Sequence, residues 1–185
     1  MTRALTAFSH GLIEPLESRS MLSASLDAAG MLTVIGRAGP DKITVHLAPD
    51  DPAHLVVKVN RKSFVFNTAD VQGMHIAGRR GADRLVIDES FGQIFIPATI
   101  TGGAGKDVLA GGSGDDQLYG QGGIDKLYGN AGFDWLIGGA MADYVDGGQG
   151  FDVLGIDPSI DTFAPDPVDM DVIVPDMPDD PEVIF

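Results

Sequence analysis

Aspartate recurs at every ninth residue in the second half of this chain: Asp107, Asp116, Asp125, Asp134, Asp143 and Asp152. Carboxylates at a fixed interval can gather a hard cation, and the residues between them supply the remaining donors. From Gly102 the chain reads GGAGKDVLA, GGSGDDQLY, GQGGIDKLY, GNAGFDWLI, GGAMADYVD, GGQGFDVLG, six nonapeptides with no insertion. Position 1 is always glycine and position 6 always aspartate. Position 8 is always aliphatic: Leu109, Leu118, Leu127, Leu136, Val145 and Leu154. Glycine at positions 1, 2 and 4 permits the positive φ angles of a tight turn. Such turns aim bare carbonyl oxygens into the space the carboxylates share. An all-oxygen donor set suits calcium better than magnesium, which keeps its waters.

The elements that must hold these groups follow from the same columns. Positions 7 to 9 make a very short strand with position 8 pointing inward. One nonapeptide is half a coil, so turn n stacks on turn n+2 at the strand spacing of about 4.8 Å. Stacked carboxylates about 5 Å apart repel by roughly 3 kcal/mol at an effective dielectric near 20. A column of them therefore calls for a cation between its members. Two plainer readings stand beside this one: a flexible Gly/Asp linker, and a metal-free β-solenoid with ordinary aspartate turns. A linker has no reason to keep an aliphatic residue at every ninth position.

These 54 residues resemble the RTX, or hemolysin-type, calcium-binding repeat family, whose nonapeptide is GGxGxDxUx. The resemblance implies a parallel β-roll with calcium between turns n and n+2. The ligands it implies are the carbonyls of positions 2 and 4 and the aspartate of one turn. The other turn adds the carbonyls of positions 1 and 3 and its own aspartate. Carried over, site one is Gly103, Gly105, Asp107, Gly120, Gly122 and Asp125. Site two is Gly112, Gly114, Asp116, Gly129, Ala131 and Asp134. Site three is Gln121, Gly123, Asp125, Gly138, Ala140 and Asp143. Site four is Asn130, Gly132, Asp134, Gly147, Gln149 and Asp152. The sequence departs from the pattern at Gln121 and Asn130 (position 2) and at Met141 (position 4). If position 4 needs positive φ, methionine there costs about 1 kcal/mol or more.

Upstream, alternating apolar and polar residues read as strands: MLTVIG from Met31, then KITVHLA, HLVVKV, SFVFN, VQGMHIAG, RLVID and IFIPATITG. Helical windows are absent, so the expected class is all-β: a parallel β-roll or β-solenoid with wider N-terminal coils or sheet. Phe64, Phe66, Phe91 and Phe95 are its candidate core. GRAGPDKIT from Gly36 and GRRGADRLV from Gly78 echo the nonapeptide, with Asp41 and Asp83 at position 6. The interval from Asp83 to Asp107 suits one long coil, which stacks Asp83 under Asp107. About four calcium ions are expected; near Asp83 two readings stand side by side, a fifth ion or an ordinary aspartate-containing turn.

The chain has 185 residues, 27 acidic against 12 basic, a net charge of −15 and no cysteine. That excludes disulfides, thiolate metal sites and a cysteine nucleophile, and it disfavours nucleic acid. No apolar stretch is long enough to span a membrane as a helix. Charge and glycine divide the chain into residues 1–30, strand-rich coils over 31–101, the repeats over 102–155, and an acidic Pro-rich segment over 156–185. The last segment is expected to be disordered. IEPLESRSMLSA, from Ile13 to Ala24, resembles the LEPR-type N-terminal export motif of planctomycete proteins. Glu14, Pro15, Leu16, Glu17, Arg19, Leu22 and Ser23 match it, and Met21 replaces a leucine. The ending Glu182-Val183-Ile184-Phe185 resembles the C-terminus of type I-secreted RTX proteases.

An enzyme is not expected. His10, His46, His54 and His75 give no zinc motif, Ser113 lies inside a repeat turn, and Asp88–Glu89 is a lone acidic pair in a turn. Tyr119, Tyr128, Trp135 and Tyr144, at positions 7 and 9, are a candidate strip for a glycan or surface partner. The sequence thus points to an exported, extracellular or cell-surface protein that folds around structural calcium.

Overall fold

A computed structural model describes residues 23–157, 159–164 and 171–175. In chain order its strands are β1 (Ser23–Leu26), β2 (Met31–Ile35), β3 (Lys42–Ala48), β4 (Asp51–Val59), β5 (Lys62–Asn67), β6 (Gly73–Arg80), β7 (Arg84–Ile87) and β8 (Ala98–Ala104). There follow β9 (Val108–Ala110), β10 (Gln117–Gly122), β11 (Lys126–Ala131), β12 (Trp135–Ala140), β13 (Tyr144–Gln149), β14 (Val153–Ile156), β15 (Thr162–Phe163) and β16 (Val172–Pro175). Among the described residues the one helical piece is the single 3-10 turn Thr68–Asp70.

The chain winds back and forth between two eight-stranded sheets. One runs β1-β2-β6-β8-β10-β12-β14-β16 and the other β15-β13-β11-β9-β7-β3-β4-β5. Neighbours are parallel from β2 to β16 in the first sheet and from β3 to β15 in the second, as successive turns of one spiral must be. Register reports the coil length directly. Leu118 pairs with Leu136 and Leu127 with Val145, two nonapeptides apart. Below them the coils widen: Ile76 pairs with Ile100, and Ile43 pairs with Leu85. The widest coil is long because the antiparallel hairpin β3-β4-β5 branches from it and extends the second sheet.

Burial follows the alternation of the strands. All six position-8 side chains are essentially inaccessible, with at most 1% of their surface exposed. Of the 23 buried apolar side chains among the described residues, sixteen lie between Leu32 and Ile100. The wide coils therefore own most of the apolar core, which is the dominant favourable term in folding. Each repeat coil buries little beyond one aliphatic side chain per half-turn. Phe64 and Phe66 pack against the core as expected. Phe91 and Phe95 do not: they are 47% and 67% exposed, on the loop that leads from β7 to β8.

The sheets also extend beyond residue 155. β15 pairs with β13 and β16 with β14, in place of a disordered segment from residue 156. Composition misled there because IDPSIDTFA, residues 156–164, is a seventh nonapeptide without its glycines. The export-motif residues up to Leu22, the terminal Glu182–Phe185 and His10 lie outside the described residues.

Candidate metal centre

Each repeat turn places its aspartate where two edges of the fold meet, and the aspartates form two columns. In the first, the backbone N–H of Asp41 donates to Asp83 Oδ1 (2.7 Å), that of Asp83 to Asp107 (2.7 Å), and that of Asp107 to Asp125 (2.7 Å). Asp125 continues the column to Asp143 (2.7 Å), and Asp143 to Asp161 (2.9 Å). The second column starts at the Ala98 N–H, which donates to Asp116 Oδ1 (2.7 Å). It runs on through Asp134, Asp152 and Asp171 at 2.8, 2.8 and 3.2 Å. Asp83, Asp107, Asp116, Asp125, Asp134, Asp143 and Asp152, the column members over this stretch, are each at most 2% exposed. Asp161 and Asp171 were not singled out from the sequence. The signal for Asp161 was present, since it stands two nonapeptides after Asp143.

One carboxylate oxygen is thus bonded downward, and the other faces the gap above. A Cβ on Gly102 would stand 2.6 Å from Asp107 Oδ2 and 3.0 Å from the Gly120 carbonyl oxygen. Gly102 therefore has no room for a side chain: the aspartate of its own turn and a carbonyl of the next coil occupy that space. The same gap holds the other carbonyls assigned to site one. Gly122 O accepts from the Gly105 N–H at 2.7 Å. Gly105 O lies where a Cβ on Gly123 would go, and Gly103 O is 3.9 Å from a Cβ on Gly122.

Sites two, three and four repeat this pattern. Gly112 O and Gly114 O face the coil of Ala131 and Gly132, and Gly129 O descends onto Gly111. Gln121 O abuts Gly139, Gly138 O abuts Gly120, and Ala140 O accepts from the Gly123 N–H at 3.2 Å. Asn130 O abuts Gly148, Gly147 O abuts Gly129, and Gln149 O accepts from the Gly132 N–H at 3.0 Å. The donors are mostly main-chain oxygens, so a cluster of three ligating side chains is not found among the described residues.

The departures from the repeat pattern have a conformational cost. Gln121, Asn130 and Met141 all hold positive φ, at 72°, 78° and 85°. Position 2 is left-handed in most turns, and this separates two kinds of turn. Where position 2 is left-handed, the Oδ2 atoms of Asp83, Asp107, Asp125 and Asp134 are buried without a hydrogen-bond partner. In three other turns position 2 does not have positive φ, and its N–H closes onto Oδ2 of the same turn. These are Arg37 to Asp41 (2.5 Å), Gly112 to Asp116 (2.7 Å) and Asp157 to Asp161 (2.7 Å). Asp116, the lower carboxylate of site two, is therefore internally satisfied.

Burial dominates the electrostatics. Desolvation, opposed by the ladder hydrogen bonds, pushes Asp125 and Asp134 up to about 7. Neighbouring carboxylates add to the rise: Asp107 and Asp143 for the first, Asp116 and Asp152 for the second. Asp83 and Asp116 are pushed up to about 6, again mainly by burial, and Asp107 is raised for the same reason. Buried carboxylates with an orphaned oxygen, faced by carbonyl oxygens, call for a proton or, when ionised, a hard divalent cation.

The aromatic residues do not form one strip. Tyr119 and Trp135 lie on β10 and β12 of one sheet, and Tyr128 and Tyr144 on β11 and β13 of the other. The Tyr128 and Tyr144 rings meet at 5.7 Å. Asp88 and Glu89 have structural partners: Asp88 accepts from Ser90, and Glu89 accepts from the Ile94 N–H and the Ser113 hydroxyl. Among the described residues no helix is long and apolar enough to cross a membrane.

Residues 99–127 and 119–154 match the family model of the RTX calcium-binding nonapeptide repeat, in four copies. No curated protein and no solved structure matches the chain. The matched stretch is an array of RTX calcium-binding nonapeptide repeats, wound into a β-roll that binds calcium.

Proposed function

We propose that this protein is an exported structural β-roll whose repeat coils fold on binding calcium outside the cell, with four ions in the gaps between its nonapeptides. The ligands are those of sites one to four, and the calcium is structural. The observation that carries this reading is the set of buried Oδ2 atoms at Asp107, Asp125 and Asp134 that lack any partner. Each would cost free energy in a metal-free fold. Proteins with these repeats are typically secreted and typically structural rather than catalytic, which supports the location and the role.

The mechanism is linkage. Where calcium is scarce, stacked aspartates repel and the repeat coils stay open. At ten times the dissociation constant each independent site contributes about 1.4 kcal/mol. Four divalent ions would also take the net charge from −15 to −7. Folding and metal binding are then one equilibrium.

Far-UV circular dichroism of the chelated protein, titrated with calcium, tests this. A cooperative gain of β signal is expected at about 10⁻⁴ to 10⁻³ M calcium and not with magnesium. A β spectrum indifferent to chelator would reject the reading. Equilibrium dialysis tests the shared ligands. Asp125 belongs to sites one and three, Asp116 to site two alone. Asp125→Ala should lose two ions per chain and Asp116→Ala one; equal losses would rule out the shared scheme.

A further inference from the structure

The aspartate column does not begin with the repeats, and neither does its set of open turns. The turn Gly78–Asp83 belongs to the wide coils and precedes the residues matched by the repeat family. It nevertheless presents the donors of a repeat gap to the first nonapeptide. Asp83 is 2% exposed, and its Oδ2 has no partner. Beside it, Gly102 O would stand 2.7 Å from a Cβ on Gly78. Arg79 O abuts Gly103 and Gly81 O abuts Gly105, so both rise into the gap. Ala104 O descends to accept from the Gly81 N–H at 2.9 Å. Asp107 closes the far side, bonded through Oδ1 to the Asp83 N–H at 2.7 Å. Neither carboxylate is ion-paired: the pairs among the described residues are Arg37–Asp41 and His54–Asp51.

We propose that the gap between Gly78–Asp83 and Gly102–Asp107 is a further calcium site, built from the carbonyls of Arg79, Gly81, Gly102 and Ala104 and the carboxylates of Asp83 and Asp107. The proposal rests on the reading of the repeat gaps as calcium sites and extends it to a coil of different length. Arg79 supports it. A bulky side chain is held at φ 89°, the conformation that leaves Asp83 Oδ2 open. One layer lower the column stops. Asp41 Oδ2 accepts from the Arg37 N–H, Asn60 Nδ2 donates to Asp41 Oδ1, and the Arg37 guanidinium lies 3.5 Å from the same oxygen. A cationic side chain and two donors there do what a metal ion does above.

The position of this site gives it a distinct role. Its lower half sits on coils that own most of the apolar core, so Asp83 and the two carbonyls beside it are in place before the repeats fold. The ion joins a preformed surface to the first repeat and starts the winding from that end.

Asp83→Asn tests the site cleanly. Its Oδ1 can still accept from the Asp41 N–H, while an amide replaces the free oxygen. By equilibrium dialysis with calcium alone, Asp83→Asn should bind one ion fewer per chain than wild type, and Asp41→Asn the same number as wild type. The calcium midpoint of the β signal should rise by a factor of a few in Asp83→Asn only. Equal ion counts for wild type and Asp83→Asn would overturn the proposal and leave the four repeat sites standing. A wild type that binds no calcium would overturn both. A reading independent of any variant comes from amide hydrogen exchange on the wild type: calcium should slow exchange over residues 78–83, and unchanged rates there alone would refute this site.

Discussion

Asp125 shows how much one side chain is asked to do. Its Oδ1 holds the backbone of the coil below, its N–H holds Asp143 above, and its Oδ2 is left with no proton donor in reach. Burial raises its folded-state value, and that of Asp134, to about 7 against an ordinary carboxylate value of 3.8. The sign of the pH effect follows from linkage. Between about pH 4 and 7 the metal-free folded chain keeps protons that the unfolded chain has released, so stability falls as pH rises through that window. Below it both states are protonated, and the penalty vanishes. The chelated protein should therefore gain β signal by circular dichroism on acidification from about pH 8 to pH 5. With calcium present the dependence reverses, because the ion binds the deprotonated form. A chelated protein that loses β signal on acidification would contradict this account of the buried aspartates.

At the scale of the element, the unit is a turn that must open upward and a strand too short to hold itself. Position-1 glycine yields its side-chain space to the aspartate, and position 2 sets whether Oδ2 is free. Met141 is the misfit of the array, at φ 85° and 57% exposed. Its side chain buries little, so its main contribution is strain. Met141→Gly should stabilise the calcium-loaded protein by about 1 kcal/mol, read as a higher thermal midpoint. A lower midpoint would mean that the methionine side chain contributes contacts that outweigh its strained backbone.

Across the whole molecule, apolar burial and charge are segregated. The wide coils hold sixteen of the buried apolar side chains and the hairpin β3-β4-β5, while the repeats carry most of the carboxylate columns. A solenoid's stability is close to a sum of local units and their interfaces, so the two ends can respond differently to one condition. In chelator, amides of β2 to β5 should stay protected from hydrogen exchange while those of β10 to β14 exchange fast, and calcium should protect the latter. Uniform protection in chelator would point to a solenoid that needs no metal.

The repeat half is legible in its residue pattern alone. The nonapeptide period sets the coil at eighteen residues, turns position 8 inward and stacks aspartate on aspartate. All of this is local: glycine, aspartate and aliphatic residues act within one turn and recur. The Asp83–Asp107 interval was legible too, through the echo at GRRGAD. The other features come from packing between coils. Ala98 founds the second column without any aspartate to mark it, and Phe91 and Phe95 turn outward on a loop between coils. The roll also runs past its last glycine-rich turn to Asp161 and Asp171. Which Oδ2 atoms stay open is a matter of the φ angle at position 2, and residue type does not fix it: Arg79 is open where Gly112 is closed. These features depend on how one coil lies on the next, a relation between distant segments that the repeat pattern does not encode.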